Sequence, residues 1–256
     1  MLEGQKVLVI GSGISGVGAV ELLEKYHADV VLYDSSDKLT KEDLETRLPE
    51  GSKAVCIAGK LPEEVELSIQ AAVLSPGVPT DIPLVNRMRD RGVQILGEIE
   101  LGFLAEQGRV IAITGTNGKT TTTTLTGEIM KAHFGAEKTF VVGNIGNPYT
   151  LEVTKTSKDS VTVGEISSFQ LETIHTFHPV VSAILNITPD HLNRHHTMEA
   201  YVAAKEAVAS HQPYQNTYMQ HVQHVPQPHP ALSQVCWFGY TLYALHPSIR
   251  EDRGNI

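Results

Sequence analysis

Short apolar runs recur along most of the chain, each closed by a glycine, proline or aspartate and separated from the next by residues at helical spacing. KVLVI (6–10), DVVLYD (29–34), AVCIA (54–58) and AAVLSPG (71–77) read as buried parallel strands, the last ending on a Pro-Gly turn. Between the first two, ISGVGAVELLEKY (14–26) sets Val17, Val20, Leu23 and Tyr26 at helical spacing. DIPLVNRMRDRG (81–92) predicts a helix stopped at Gly92, and VQILGEIEL (93–101) follows it. Strands separated by helices imply a parallel α/β sheet with right-handed crossovers.

The pattern breaks at EQGR (106–109) and then restarts. VIAIT (110–114), TFVVG (139–143), SVTVGEIS (160–167) and VVSAILN (180–186) predict further strands, with helices after Thr120 and over TMEAYVAAKEAVA (197–209). The expected organisation is a Rossmann-like α/β domain over 1–105, then an incomplete P-loop-type α/β domain over 106–208. A tail over 209–256 has neither periodicity and reads as foreign to the domain before it. It holds no lysine, its only acids are Glu251 and Asp252, and it carries five of the twelve histidines. Histidines so irregularly spaced, with no acid beside them, read as a solvated tract rather than a metal site.

Composition narrows the possible functions. At 256 residues, with 41% hydrophobic positions, the chain can bury a core for one or two domains. A net charge of −9 argues against nucleic acid as a partner, because tracking phosphates needs a basic face. Cys56 and Cys236 make no disulfide framework and fit a reducing cytosol. The N-terminus lacks the apolar length of a signal peptide, and no run is long enough for a membrane span. The expectation is a cytoplasmic, monomeric protein without membrane insertion.

The first chemical motif is GSGISG (11–16), placed after a strand and before a helix, with Asp34 closing the next strand. Small residues let the backbone approach a diphosphate, and the helix N-terminus supplies unpaired N–H groups. The same glycines also permit tight strand–helix packing, and the motif alone does not choose among nucleotides. LSPGVP (74–79) falls on the same sheet edge, although by itself it reads as an ordinary turn.

TGTNGKTT (114–121) is the second. Gly115 and Gly118 free the loop of Thr116, Asn117 and their neighbours so that several N–H groups converge on one anion. Lys119 supplies a cation to terminal phosphates, Thr120 a hydroxyl for Mg²⁺, and Thr121 continues the helix start. Ile113 stands where a strict Walker loop has glycine, so the motif is a variant. Glu165, at the end of a buried strand, is costly without a cationic partner. Asp190 and His191 follow another strand, toward the same rim. Lys205 has the spacing of a solvated surface lysine.

Together GTNGKTT, VGNIGNP, GEISSFQLE, NITPDHLNRH and YVAAKEAV resemble the central domain of the Mur ligase family. GSGISGVGAVELL, VLYDS, LSPGVP, GEIEL and SSFQLE resemble the branch that adds D-glutamate to UDP-N-acetylmuramoyl-L-alanine, over residues 4–208. The resemblance implies an ATP- and Mg²⁺-dependent ligase of peptidoglycan synthesis, and thus of cell-wall biogenesis, cell shape and division. In that chemistry the substrate carboxylate becomes an acyl phosphate, which the amine of D-glutamate attacks. It implies that Gly115–Thr121 cradle the ATP phosphates, with Lys119 acting on them. On the same resemblance Thr120, Glu165 and a carbamylated Lys205 would serve as metal ligands, and His191 would ligate metal or contact substrate. Asn144 and Gln170 contact the muramoyl-alanine part. Ser12, Gly13, Ile14, Ser15, Asp34, Ser35, Ser75, Pro76 and Gly77 hold the UDP.

Family members continue for a further domain that binds the amino acid, and nothing after Ala209 resembles it. The expectation is therefore a chain carrying the donor and acceptor sites without the D-glutamate site, impaired in ligation, with later strands of its central sheet missing. Three rivals remain: a related ligase such as folylpolyglutamate synthetase, an NAD-dependent oxidoreductase, and a nucleotide-binding remnant. The GxGxxG domain before the phosphate loop, together with SSFQLE, argues against the first. The second would leave Lys119 and Glu165 without a purpose.

Overall fold

Two parallel sheets, each flanked by helices, carry the chain in a computed structural model that describes residues 2–211, 217–220 and 235–237. The first domain runs β1 (Lys6–Ile10), α1 (Ile14–Lys25), β2 (Asp29–Asp34), α2 (Lys41–Glu45) and β3 (Val55–Ala58). It continues with α3 (Glu63–Ser68), β4 (Ala71–Leu74), α4 (Pro83–Asp90), β5 (Gln94–Gly97) and α5 (Glu98–Ala105). Its strands lie in the order β3-β2-β1-β4-β5, all parallel. Consecutive apolar residues suit these strands because both faces are covered. Val7, Val9, Val30, Leu32 and Val73 pack into one cluster, whereas Leu8, Ile10, Val31, Tyr33 and Leu74 pack into the other. Each such side chain contributes roughly 1.5–3 kcal/mol on burial.

The second domain runs β6 (Arg109–Thr114), α6 (Lys119–Phe134), β7 (Thr139–Gly143), α7 (Tyr149–Glu152) and β8 (Val161–Glu165). Then follow α8 (Ser168–Leu171), β9 (Val181–Ile184), α9 (Leu192–His195), α10 (Met198–Glu206), β10 (Thr217–Gln220) and β11 (Val235–Trp237). The sheet order is β11-β10-β9-β6-β8-β7, again parallel throughout. In both sheets the strand order reverses beside the strand that precedes a glycine turn, between β1 and β4 and between β6 and β8. Ligands of open α/β sheets bind at such switch points, beyond the carboxyl ends of the strands.

The stretch 106–108, where the sequence pattern breaks, joins the end of α5 to the start of β6. Several bounds differ. The fourth strand stops at Leu74: Ser75 N still donates to Ile10 O, and Val78 N then closes a turn on Ser75 O. The helix after Asp81 begins at Pro83, which suits a first helical turn, and closes before Gly92 at φ +78°. The short helices α2, α3, α7, α8 and α9 carry too few turns to show a period and were not read from the sequence. The central sheet does not end at the strand near 180–186. β10 pairs with β9, and β11 with β10. Parallel pairing to a neighbour sets these strands, and that is invisible to a pattern search. Most of the His-rich tract lies outside the described residues.

Three glutamates at the domain boundary, Glu98 and Glu100 in α5 and Glu106 just after it, fasten the first domain to the second. Glu98 Oε1 accepts from Thr150 N at 2.7 Å and Thr150 Oγ1 at 2.9 Å. The Glu100 carboxylate accepts from the backbone N–H groups of His175, Thr176 and Phe177 and from Thr176 Oγ1. Glu106 Oε2 accepts from Tyr149 Oη and Thr162 Oγ1. Glu98 and Glu100 are buried, and burial raises the Glu98 pKa against the pull of its bonds to Thr150.

Candidate functional site

The first glycine turn is built around one steric fact: a Cβ at Gly16 would fall on the carbonyl oxygen of Gly11. Only glycine lets α1 start so close to the end of β1. Ser75, at the end of β4, donates its hydroxyl to Gly11 O at 3.1 Å and locks the two turns together. Asp34, at the end of β2, accepts from Ser12 Oγ at 2.6 Å, Ser12 N at 3.1 Å and Ser36 N at 3.1 Å. Burial works to raise the Asp34 pKa, but these hydrogen bonds outweigh it and hold the carboxyl below its ordinary value. Arg47 donates to Ser12 O and Ser12 Oγ, setting a guanidinium against the same turn.

These turns form one wall of a cleft of about 480 Å³. Gly11, Ser12, Gly13, Ile14, Ser15, Asp34, Ser75, Pro76 and Gly77 line it from the first domain, and Asn144 and Gln170 from the second. The UDP set expected from the sequence is thus assembled, except Ser35, which is exposed and absent from the lining. Asp34 turns back to Ser12 and Ser36, so the chain beyond it leaves the rim. Gln170 is fixed by a capping box with Ser167 at the start of α8. A second hollow of about 850 Å³ lies on the first domain, lined by Glu66, Arg87 and Arg91 among others, with both arginines paired to Glu66.

The phosphate loop joins β6 to α6. Gly118 caps the helix at φ +82° and Gly115 stands at φ +148°, both in backbone regions that favour glycine. α6 has no acidic residue in its first turn, so its N-terminal N–H groups present an uncompensated positive end. Asn186 grips the loop: Asn117 N donates to its Oδ1, Thr116 N donates to its carbonyl, and its Nδ2 donates to Asn117 O. Lys119 Nζ donates to Gly115 O and Thr116 O, both at 2.9 Å. Thr120 and Thr121 are exposed on the first turn.

Lys205 is not a surface lysine. It is 2% exposed and donates from Nζ to Gly115 O at 2.9 Å, the carbonyl that Lys119 also reaches. Burial, with the neighbouring Lys119 ammonium second, pushes its amine down to about 7, against the pull of Asp190. α10 sets it there because Tyr201, one turn earlier, packs its ring 4.7 Å from Nζ and bonds through its hydroxyl to Thr116 Oγ1 at 3.0 Å. Helical spacing assigns Lys205 to a face but does not say which face is covered.

Glu165, 1% exposed, closes β8 beside Ile113 of β6, in the sheet interior rather than at an edge. Its Oε1 accepts from Asn144 Nδ2 at 2.8 Å, and its Oε2 is buried with no hydrogen-bond partner. An orphaned carboxylate oxygen at the switch point suits a hard cation. No group of three His, Cys, Asp or Glu side chains is spaced to hold a metal among the described residues. His191 pairs instead with Asp190 at 3.4 Å and packs its ring against Phe169. A Mg²⁺ ion held here would meet one protein carboxylate, which fits an ion that takes much of its shell from phosphates and water.

Asn186, Tyr201, Arg47 and His195 belong to this neighbourhood and were not singled out from the sequence. Asn186 and His195 lie inside the NITPDHLNRH run, a signal that could have found them. His195 is buried, its Nε2 2.9 Å from Ser168 Oγ, and desolvation lowers its pKa despite the neighbouring Glu172.

Residues 5–97 match the family described as Mur ligase MurD-like, N-terminal domain, and residues 113–224 match the Mur ligase middle domain. The second match runs on past residue 208, where the quoted motifs stop. The UDP-N-acetylmuramoylalanine–D-glutamate ligase of Lachnospira eligens is 56% identical over 211 residues, covering 82% of this chain and 46% of that protein. The ligase of the same name from Koribacter versatilis is 40% identical over 257 aligned positions, covering 98% of this chain and 56% of its own length. The chain spans about half the length of the curated relatives it matches. Among solved structures, the UDP-N-acetylmuramate:L-alanyl-gamma-D-glutamyl-meso-diaminopimelate ligase from Neisseria meningitides has the same fold, at a TM-score of 0.52 and 12% identity, over 86% of this chain and 72% of that one. With both sequence domains matched in order and the switch-point sites assembled, the chain belongs to the Mur ligase family.

Proposed function

We propose that the chain binds UDP-N-acetylmuramoyl-L-alanine in the cleft between the domains and ATP with Mg²⁺ at the phosphate loop. On this reading it is the nucleotide-handling part of an ATP-dependent ligase that adds D-glutamate in peptidoglycan synthesis. It acts as a cytoplasmic monomer with no nucleic acid or membrane partner. One observation carries the reading. Asn144 lines the cleft and donates to Glu165, whose other oxygen is buried and unpartnered at the end of the strand beside the phosphate loop. The nucleotide-sugar pocket and the acid of the cation site are thus one hydrogen bond apart.

In this arrangement the turns at Gly11–Ser15 and Ser75–Gly77 hold the diphosphate through backbone groups. Asn144 and Gln170 orient the acyl end of the substrate. Lys119 and the first turn of α6 take the nucleotide phosphates. Glu165 and Thr120 would hold Mg²⁺, which supplies charge neutralisation where two anions must meet. Lys205, its pKa lowered to about 7, is partly neutral at neutral pH, and the neutral amine is the form that adds CO₂, with loss of a proton, to give a carbamate; His191 completes the rim.

Calorimetric titration of the native chain tests the reading. UDP-N-acetylmuramoyl-L-alanine is expected to bind one per chain, and ATP to bind only with Mg²⁺. Binding of NAD in the cleft, with no heat from the UDP-sugar, would move the reading to an oxidoreductase.

A further inference from the structure

Glu172, the last residue of the SSFQLE run, has no part in the sites above, yet its carboxylate touches both domains. Oε2 accepts from Arg194 Nη2 at 3.1 Å and from Thr80 Oγ1 at 3.0 Å, and Oε1 lies 3.5 Å from His195 Nδ1. Thr80 follows the Ser75–Gly77 turn of the cleft. Arg194 and His195 belong to α9, directly after His191.

The α9 segment is held in an unfavourable conformation. His191 before it stands at φ +51° and His196 after it at φ +66°, a region side-chain-bearing residues rarely enter. Such backbone persists only where its surroundings over-determine it. Those surroundings are Phe169 and Glu172, together with Ser168 and Tyr201, which hold the other side of the His195 ring. Phe169 lies under the Arg194 guanidinium at 4.0 Å, stacks on His195 and meets the His191 ring at 5.0 Å. Isolated surface ion pairs contribute little, but here both partners are about four-fifths buried and the carboxylate meets three groups at once.

We propose that Glu172 is a positioning residue. It fixes the strained segment that presents Asp190 and His191 at the phosphate loop, and through Thr80 it ties that segment to the cleft turn. If the cleft holds the nucleotide sugar, as proposed above, occupancy of the Ser75–Gly77 turn is felt at His191 through this one carboxylate.

Hydrogen exchange of the native chain and of the E172Q, E172D and T80V variants tests this. The reporters are the amides of Arg194, His195 and His196, which bond back to His191 O and Leu192 O. E172Q is expected to speed their exchange about tenfold or more, E172D to restore part of the protection, and T80V to speed it about threefold. Saturating UDP-N-acetylmuramoyl-L-alanine slows these amides in the native chain but not in T80V, which still binds the probe. Unchanged exchange in E172Q overturns the positioning role; should E172Q fail to fold, unchanged exchange in T80V does so. A probe that slows T80V as much as the native chain overturns the coupling. No probe binding at all, with faster exchange in E172Q, removes the cleft reading and leaves the positioning role standing.

Discussion

Lys205 illustrates how far a single residue departs from what its spacing suggests. In YVAAKEAV it has the pattern of a solvated lysine, and only the packing of α10 over the phosphate loop buries it. Its amine sits near pKa 7 when folded, against 10.5 unfolded. Between those values the unfolded chain binds the extra proton, so this group's penalty is full below about pH 7 and relieved as pH rises toward 10.5. Urea unfolding of K205M should show it more stable than the native chain at neutral pH, by on the order of a few kcal/mol, with the gap closing at alkaline pH. The same depressed pKa makes the amine reactive. With ¹³C-bicarbonate at pH 7.5, a carbamate carbon signal is expected in the native chain and none in K205M. Glu165 gives a second prediction at this scale. E165Q keeps an acceptor for Asn144 but removes the charge from an oxygen with no partner. It should melt no lower than the native chain and lose the Mg²⁺-dependent part of ATP binding, both readable by calorimetry.

At the scale of elements, the glycine turns and the glutamate seam set the geometry. G16A would drive a Cβ onto Gly11 O and separate α1 from the end of β1. The expected result is a stability loss of about 2 kcal/mol or more in urea unfolding, with UDP-sugar binding abolished. E100Q leaves a carboxamide facing three backbone N–H donors and a hydroxyl in a buried seam. It should cost about 3 kcal/mol while leaving the phosphate loop intact, so ATP binding is preserved at temperatures where the chain is folded. The strands and long helices of both domains were legible because buried parallel strands write themselves as apolar runs ended by glycine. The four-residue helices α7, α8 and α9 were not, since α8 is held by its capping box and α7 and α9 by their neighbours rather than by a period. β10 and β11 were missed because TYMQ acquires its state from pairing with β9, and VCW from pairing with β10.

For the molecule as a whole, two switch points stand side by side because Glu98, Glu100 and Glu106 are spent on the domain boundary. Nothing in the spacing of GEIEL marks this seam, yet its acids face backbone donors of the other domain. The cleft residues were nearly all named from motifs, whereas Arg47, Tyr201 and His195 were not, because their roles come from contacts between distant segments. If the cleft holds the nucleotide sugar, as proposed, the arrangement sets its direction: diphosphate on the Gly11 and Ser75 turns, acyl end toward Asn144 and Glu165. A crystal structure of the native chain with UDP-N-acetylmuramoyl-L-alanine tests that most directly. The account predicts the diphosphate against Ser12–Ser15 and Ser75–Gly77, with the alanyl carboxylate beside Asn144. A nucleotide seated in the Glu66–Arg87–Arg91 hollow, or one in the cleft with its carboxylate turned away from Asn144, would contradict it.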